Sequence, residues 1–171
     1  MDITIRLRHF RKMEAHDLRV MQEFNCPIVP VYAKVSRMIK WTVSDVGMLK
    51  LNVNGESCGN LGMLGGGGVI WDSQGRVLVG FAHLYGQATN TIVECRALLD
   101  GLRLCRSLGL RDLLVESDST VVVGWMASGI SKYWFLWDFW EEVKMLVRLL
   151  KVRVRHNFRE ANMVADFLAK E

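Results

Sequence analysis

Residues 48–56 read MLKLNVNGE, and this short stretch decides the fold. Apolar and polar side chains alternate at period two, which predicts a strand with Leu49, Leu51 and Val53 on one face. Next, GNLGMLGGGG (59–68) reads as a glycine-rich connection into VIWD (69–72), and SQGR (73–76) turns the chain into VLVGFAHLYG (77–86). Two strand patterns joined by an Asp72–Gly75 turn predict an antiparallel hairpin. The glycine run at 65–68 lacks the G-K-[ST] of a phosphate-binding loop and precedes no helix, so that reading is rejected.

Working outward, TIVECRALLDGLRLCRSLG (91–109) has helical spacing and a Gly109 stop, and DLLVESD (112–118) is a short apolar strand. STVVVGWMASG (119–129) and YWFLWDFWEEVKMLVRLL (133–150) read as helices, KVRVRHNF (151–158) as a strand and REANMVADFLAKE (159–171) as a closing helix. The order β-β-β-α-β-α-α-β-α predicts an α/β fold. Its mixed five-stranded sheet begins with an antiparallel hairpin, continues in βα units and is flanked by helices. Residues 1–45 read as an N-terminal arm or linker, with a short helix near Lys12–Phe24 and both prolines, Pro27 and Pro30. Residues 46–171 form the domain.

Half of the residues are hydrophobic and 23% charged, the balance of a globular chain rather than a disordered one. No apolar run approaches the ~18 residues that span a bilayer, and the N-terminus lacks a signal-peptide core, so an intracellular protein of nucleus or cytoplasm is expected. The net charge of +4 permits a polyanionic partner without requiring one. Cys26, Cys58, Cys95 and Cys105 form no C-x-x-C pair; reduced thiols are expected, not a zinc site.

Three carboxylates stand where packing alone would not put them. Glu94 shares its helical stripe with Leu98, Gly101, Leu102 and Cys105, although a glutamate near a helix start also serves the dipole. Asp118 follows a strand expected to be central, at the edge where α/β sheets bind ligands; capping the next helix explains it as well. Asp166 lies in the last helix, one turn after Asn162, with Ala161, Val164, Ala165 and Leu168 toward the core; a solvated surface acid is the bland alternative.

Together these positions resemble ribonuclease H. The run LNVNGESCGNLG (51–62) followed by GGGGVIWDSQG (65–75) is similar to its opening, an aspartate-glycine strand, a G-N-P-G-like turn and a glycine-rich second strand. NTIVECRALLDGL (90–102) resembles the helix with the catalytic glutamate, LLVESDSTVVV (113–123) the strand-end aspartate, and HNFREANMVADFLAK (156–170) the closing H-x-x-R-E-x-N-x-x-A-D-x-L-A pattern. The variant is that of plant ribonuclease-H-like domains, many of them retroelement-derived, and the match covers residues 46–171.

The resemblance implies endonucleolytic cleavage of the RNA strand of an RNA–DNA hybrid, with two Mg²⁺ (or Mn²⁺) ions about 4 Å apart at one phosphodiester. Glu94, Asp118 and Asp166 match the metal-binding acids, and several converging carboxylates are poor structure without cations. His156 matches a histidine that moves protons or assists product release; a polar strand end is the equal alternative. Asn60 and Asn90 match hybrid-contacting positions but double as turn and cap residues. Arg96, on the basic face of the first long helix, is a candidate nucleic-acid contact with a solvated face as the equal alternative. A monomer without a small-molecule cofactor or membrane attachment is implied.

The pattern breaks at Asn54, where the family has the aspartate that bridges both metals. An amide brings no charge and one ligating oxygen, so a loss of at least ~10²-fold in turnover is expected. Glu56, two residues along the same face, would have to reach back about 7 Å, and an exposed strand-end acid is the favoured reading. Leu61 replaces the usual proline of the turn. A catalytically inactive module that binds nucleic acid or protein is the second expectation. The basic residues Arg103, Arg106, Arg148, Lys151, Arg153, Arg155 and Arg159 suit phosphate contacts or a solvated face equally. The group Tyr133, Trp134, Phe135, Trp137, Phe139 and Trp140, beside Val143, Leu146 and Leu150, is expected to be core rather than a base-stacking surface.

Overall fold

The computed structural model describes residues 15–25, 38–58, 63–131 and 133–171. The chain divides into two units, Met1–Met38 and Ile39–Glu171. In the first, the described helix is α1 (Ala15–Glu23), inside the expected span. Cys26, Pro27 and Pro30 lie outside the described residues, as do Gly59, Asn60, Leu61 and Gly62.

The second unit carries β1 (Leu49–Cys58), β2 (Met63–Trp71), β3 (Val77–Gly86), α2 (Asn90–Ser107), β4 (Leu113–Ser117), α3 (Thr120–Ser128), α4 (Trp137–Leu149), β5 (Arg153–His156) and α5 (Met163–Leu168). Its sheet has the order β3-β2-β1-β4-β5. The first three strands are antiparallel, whereas β1–β4 and β4–β5 are parallel. The mixed five-stranded sheet is therefore as expected. One detail differs: β1 is the central strand, and β4 lies between it and the edge strand β5.

The hairpin turn closes as its sequence predicts. Asp72 accepts from the Gly75 N–H at its carbonyl, and its carboxylate accepts from the Gln74 and Arg76 amides at 2.8 and 2.9 Å. The glycine run is not a connection, however, because Gly65–Gly68 are paired residues of β2. They are small because two helices press on the strand from opposite sides. A Cβ at Gly66 would come within 2.9 Å of Ala97 on α2, whereas one at Gly67 would meet the Leu168 and Ala169 backbone at 2.6 Å. Neighbouring residues of a strand face opposite ways, so α2 covers one face of β1–β2 and α5 the other.

The core follows from β1. Leu51 and Val53 are fully buried on the α2 face against Leu98, Gly101, Leu102 and Cys105. Burying each such aliphatic side chain contributes about 1.5–3 kcal/mol. Cys95 and Cys105 are free buried thiols, pushed up to about 12 by desolvation first, so they serve as small apolar residues. At the end of α2, Gly109 adopts φ +68° and donates to the Arg106 carbonyl while Leu110 donates to Cys105, a helix stop that needs the left-handed residue.

Two other expectations fail. The closing helix begins only at Met163, because Arg159–Ala161 form a 3₁₀ turn and Asn162 is spent on β1: its side chain donates to the Val53 carbonyl at 2.9 Å. Ala161 in the turn and Ala165 in the helix are buried, but Val164 is exposed. The aromatic group is largely surface: Trp140 enters the core and Phe139 packs half-buried against it, while Tyr133, Trp134, Phe135 and Trp137 are exposed, Trp134 by 75%. A 3₁₀ turn at Trp134–Leu136 precedes α4, so the helical spacing that would have gathered these rings on one stripe does not extend through them.

Candidate active site

The second face of β1 builds the site. Lys50, Asn52, Asn54 and Glu56 alternate with the core residues and point toward α5, and the first three are buried. Lys50 and Glu116 are both fully buried and pair at 3.1 Å. Lys50 also donates to the Thr42 carbonyl, and Arg155 binds the same Glu116 oxygen. Asn52 and Asn157 donate to the other Glu116 oxygen at 3.1 and 2.9 Å. Burial opposes ionisation of Glu116, but the Arg155 and Lys50 contacts prevail and hold its carboxyl below the usual range. This fully bonded network ties β1, β4, β5 and the start of α5 together beneath the site.

At the end of β1 the acids gather. Gly55 admits the first: a Cβ there would lie 2.5 Å from the Glu94 nitrogen, so only glycine lets α2 approach this closely. In return the Gly55 N–H donates to Glu94 Oε2 at 3.2 Å. Glu94 is pushed up to about 8, by burial first and then by the charge of Asp118. Asp118 follows β4, where Ser117 pairs with His156, and the imidazole Nε2 lies 3.2 Å from the Asp118 carbonyl oxygen. Burial raises the Asp118 carboxyl as well, with Asp166 and Glu56 adding to it.

Capping does not explain Asp118. The cap of α3 is Ser119, whose hydroxyl accepts from Val122 N–H. Among the described residues Asp118 Oδ1 is left buried without a hydrogen-bond partner, an expensive state for a carboxylate oxygen.

Asp166 is not a solvated surface acid. Asn54 Nδ2 donates to its Oδ1 at 3.1 Å, and Arg159 reaches the same oxygen at 2.6 Å. Lys170 lies 2.5 Å from Oδ2. Burial works against its ionisation, but contacts with Glu56, Lys170 and Arg159 keep Asp166 below the ordinary carboxylate range.

Glu56 departs furthest from expectation. It does reach back: its carboxylate binds Arg159, lies 3.7 Å from Lys170 and comes within hydrogen-bonding reach of Asp166. Its charge also bears on Glu94 and Asp118. The sequence signal was its place on the same strand face as Asn54. What the sequence did not contain was the partner, since Arg159 arrives from more than a hundred residues away.

The remaining expected residues are placed as follows. Asn90 is exposed at the first position of α2, and the cap there is Thr89, so Asn90 is not the cap. Arg96 packs between the Tyr85 and Phe139 rings at 5.6 and 5.8 Å and donates to the Tyr85 carbonyl, which makes it half-engaged. Asn60 lies outside the described residues. A cavity of about 390 Å³ opens beside Trp41, Trp71, Asn52 and Asn162, but Glu94, Asp118 and Asp166 do not line it.

As they stand, no three described His, Cys, Asp or Glu side chains are gathered tightly enough to enclose an ion. The Glu94–Asp118 half fits a hard divalent cation in its chemistry: oxygen donors only, mutually repelling, one buried oxygen unsatisfied. The Glu56–Asp166 half is already paired with two side-chain cations.

A family model described as reverse transcriptase-like matches residues 52–171. The chain belongs to that reverse transcriptase-like, ribonuclease H family. A protein of Arabidopsis thaliana named as a candidate ribonuclease H is 34% identical over 144 residues, which cover 80% of this chain and 22% of that protein. The chain thus spans about a fifth of the length of this relative. Among solved structures, the N-terminal ribonuclease H domain of a Mycobacterium tuberculosis protein is 30% identical, with a TM-score of 0.66 over 71% of this chain and 90% of that one. The LC11 ribonuclease H1, from compost, was solved in complex with an RNA/DNA hybrid. It is 27% identical, with a TM-score of 0.64 over 70% of this chain and 92% of its own. The fold of this chain is therefore the ribonuclease H fold, and no described helix is long and apolar enough to cross a membrane.

Proposed function

We propose that residues 46–171 form a hybrid-binding ribonuclease H domain, with Trp41–Asp45 packed on it and hydrolysis impaired by Asn54. The observation that carries this reading is the convergence of Glu94, Asp118, Asp166 and Glu56 beside His156 at one end of the sheet, with Asp118 Oδ1 buried and unsatisfied among the described residues. The hybrid itself is suggested by the compost ribonuclease H1, which was solved with one bound.

Each residue has a role in this reading. Glu94 and Asp118 would hold Mg²⁺ or Mn²⁺ through carboxylate oxygens, with Asn54 offering at most a neutral amide oxygen. Bound there, the cation would polarise the scissile phosphodiester and lower the pKa of an attacking water. His156, fixed by the Asp118 carbonyl and the Phe158 ring, is positioned to accept or return a proton at the site's rim. Arg96 and the exposed rings Trp134 and Trp137 supply backbone and stacking contacts for the substrate. The domain acts as a monomer inside the cell, in nucleus or cytoplasm.

A second reading is a binding module without turnover. It is favoured by Asn54 itself, whose amide donates to Asp166 where the family's aspartate would ligate metal. The test is to incubate a labelled RNA–DNA hybrid with the protein and with Asn54→Asp, in Mg²⁺ and in Mn²⁺. Cutting by the native protein supports the impaired nuclease, and cutting only by the variant marks a site decayed at one residue. A gel shift without cutting by either supports the binding module. Failure of both proteins to cut or bind refutes both readings.

A further inference from the structure

We propose that Arg159 and Lys170 act as built-in cations for half of the acidic site, so that this chain takes one divalent cation rather than two. The inference rests on the ribonuclease H reading of the site and concerns how its charge is balanced.

The two halves differ in how their oxygens are satisfied. Both Asp166 oxygens are held: Oδ1 by Arg159 at 2.6 Å and by Asn54 Nδ2 at 3.1 Å, Oδ2 by Lys170 at 2.5 Å. Glu56 shares both cations, binding the same Arg159 nitrogen and lying 3.7 Å from Lys170. Across the site, among the described residues, Glu94 accepts from the Gly55 backbone alone and Asp118 Oδ1 has no hydrogen-bond partner. Glu56 and Asp166 are each in contact with both Arg159 and Lys170, whereas among the described residues neither Glu94 nor Asp118 is paired with a side-chain cation, which leaves room on that half for one Mg²⁺. Arg159 acts on Glu94 and Asp118 only through its charge at longer range.

Asn54 and Glu56 fit this arrangement as a pair. An amide at position 54 turns an N–H toward an acid already carrying Arg159 and Lys170; an aspartate there would place a carboxylate against it. Glu56, one step along the same face, restores the charge that Asn54 lacks and gives Arg159 its second anchor. Arg159 is in turn fixed by its 3₁₀ turn directly before Asn162, whose side chain is bonded into β1. The clamp is thus built from β1, the 3₁₀ turn, α5 and Lys170 just beyond it.

The experiment counts Mn²⁺ on the full chain by electron paramagnetic resonance of the unbound ion, after the protein is stripped with EDTA. Wild type is expected to bind one Mn²⁺, and Glu94→Gln or Asp118→Asn to bind none. Arg159→Gln combined with Lys170→Gln is expected to bind two, since Glu56 and Asp166 are then uncompensated. Two ions on the wild type, or none, overturn the proposal, and the wild-type count requires no variant to fold. A double variant that melts cooperatively yet still binds one ion overturns it as well. A hybrid gel shift of the wild type in EDTA tests the ribonuclease H reading separately. A chain that shifts the hybrid but binds two ions refutes the clamp alone. A chain that binds one ion and never engages the hybrid refutes the functional reading alone.

Discussion

Replacing Glu94 by glutamine should stabilise the metal-free fold, and by an amount that grows with pH. Burial, with Asp118 beside it, raises the Glu94 carboxyl from 4.5 to about 8. At neutral pH the folded chain therefore carries a proton that the unfolded chain has released. The folded state binds more protons throughout this range, so wild-type stability is full below pH 4.5 and falls as pH rises toward about 8. At about 1.4 kcal/mol per pH unit, taking up that proton at pH 7 costs up to roughly 3 kcal/mol. Glutamine keeps the oxygen that accepts from Gly55 N–H and loses the charge, so it removes the cost. For a unit of this size the gain corresponds to a rise of about 10 °C in Tm near pH 7, shrinking to nearly nothing at pH 4. The assay is thermal and urea denaturation by circular dichroism from pH 4 to 8.5 in EDTA. Asp118, raised for the same first reason, leaves the variant a slope of the same sign. Saturating Mg²⁺ should flatten the wild-type profile, because it binds the ionised form. A Glu94→Gln protein no more stable than wild type at pH 8 would refute the reasoning.

Asn54→Asp should raise hybrid cleavage by about 10²-fold or more if the lost charge is what limits turnover; labelled-substrate kinetics in Mg²⁺ and Mn²⁺ measure it, and an unchanged rate contradicts it. Gly55→Ala places a methyl 2.5 Å from the Glu94 backbone and should cost about 1–3 kcal/mol, read as a drop in urea midpoint with a parallel loss of Mn²⁺ affinity. Lys50→Met strips a buried partner from Glu116 and should cost roughly 3–5 kcal/mol, most of it recovered when Glu116→Gln removes the opposing charge; equal melting of the single and double variants would argue against a buried ion pair. Trp134→Ala and Trp137→Ala remove exposed rings and should each weaken hybrid binding by roughly 5- to 100-fold with little change in Tm, a pattern that a core role would reverse.

The local sequence by itself determined the architecture. Period-two alternation in MLKLNVNGE, the Asp72–Gly75 turn and the apolar stripe of α2 are local patterns with local physics, and each became the predicted element. The order of elements then implied the mixed sheet. The resemblance of four motifs to ribonuclease H named Glu94, Asp118 and Asp166 together, although each alone read equally as a cap or surface acid. Tertiary structure decided everything that depends on a partner distant in the chain. The glycines of β2 read as a loop until α2 and α5 were seen to press on them from both sides. The rings before α4 read as core until the 3₁₀ turn put them outside. Glu56 read as a stray strand-end acid, and Arg159 as one basic residue among several. Their pairing across 103 positions comes only from bringing β1 beside the turn that precedes α5. Charge balance at a site is a sum over neighbours in space, and spacing along the chain does not contain it.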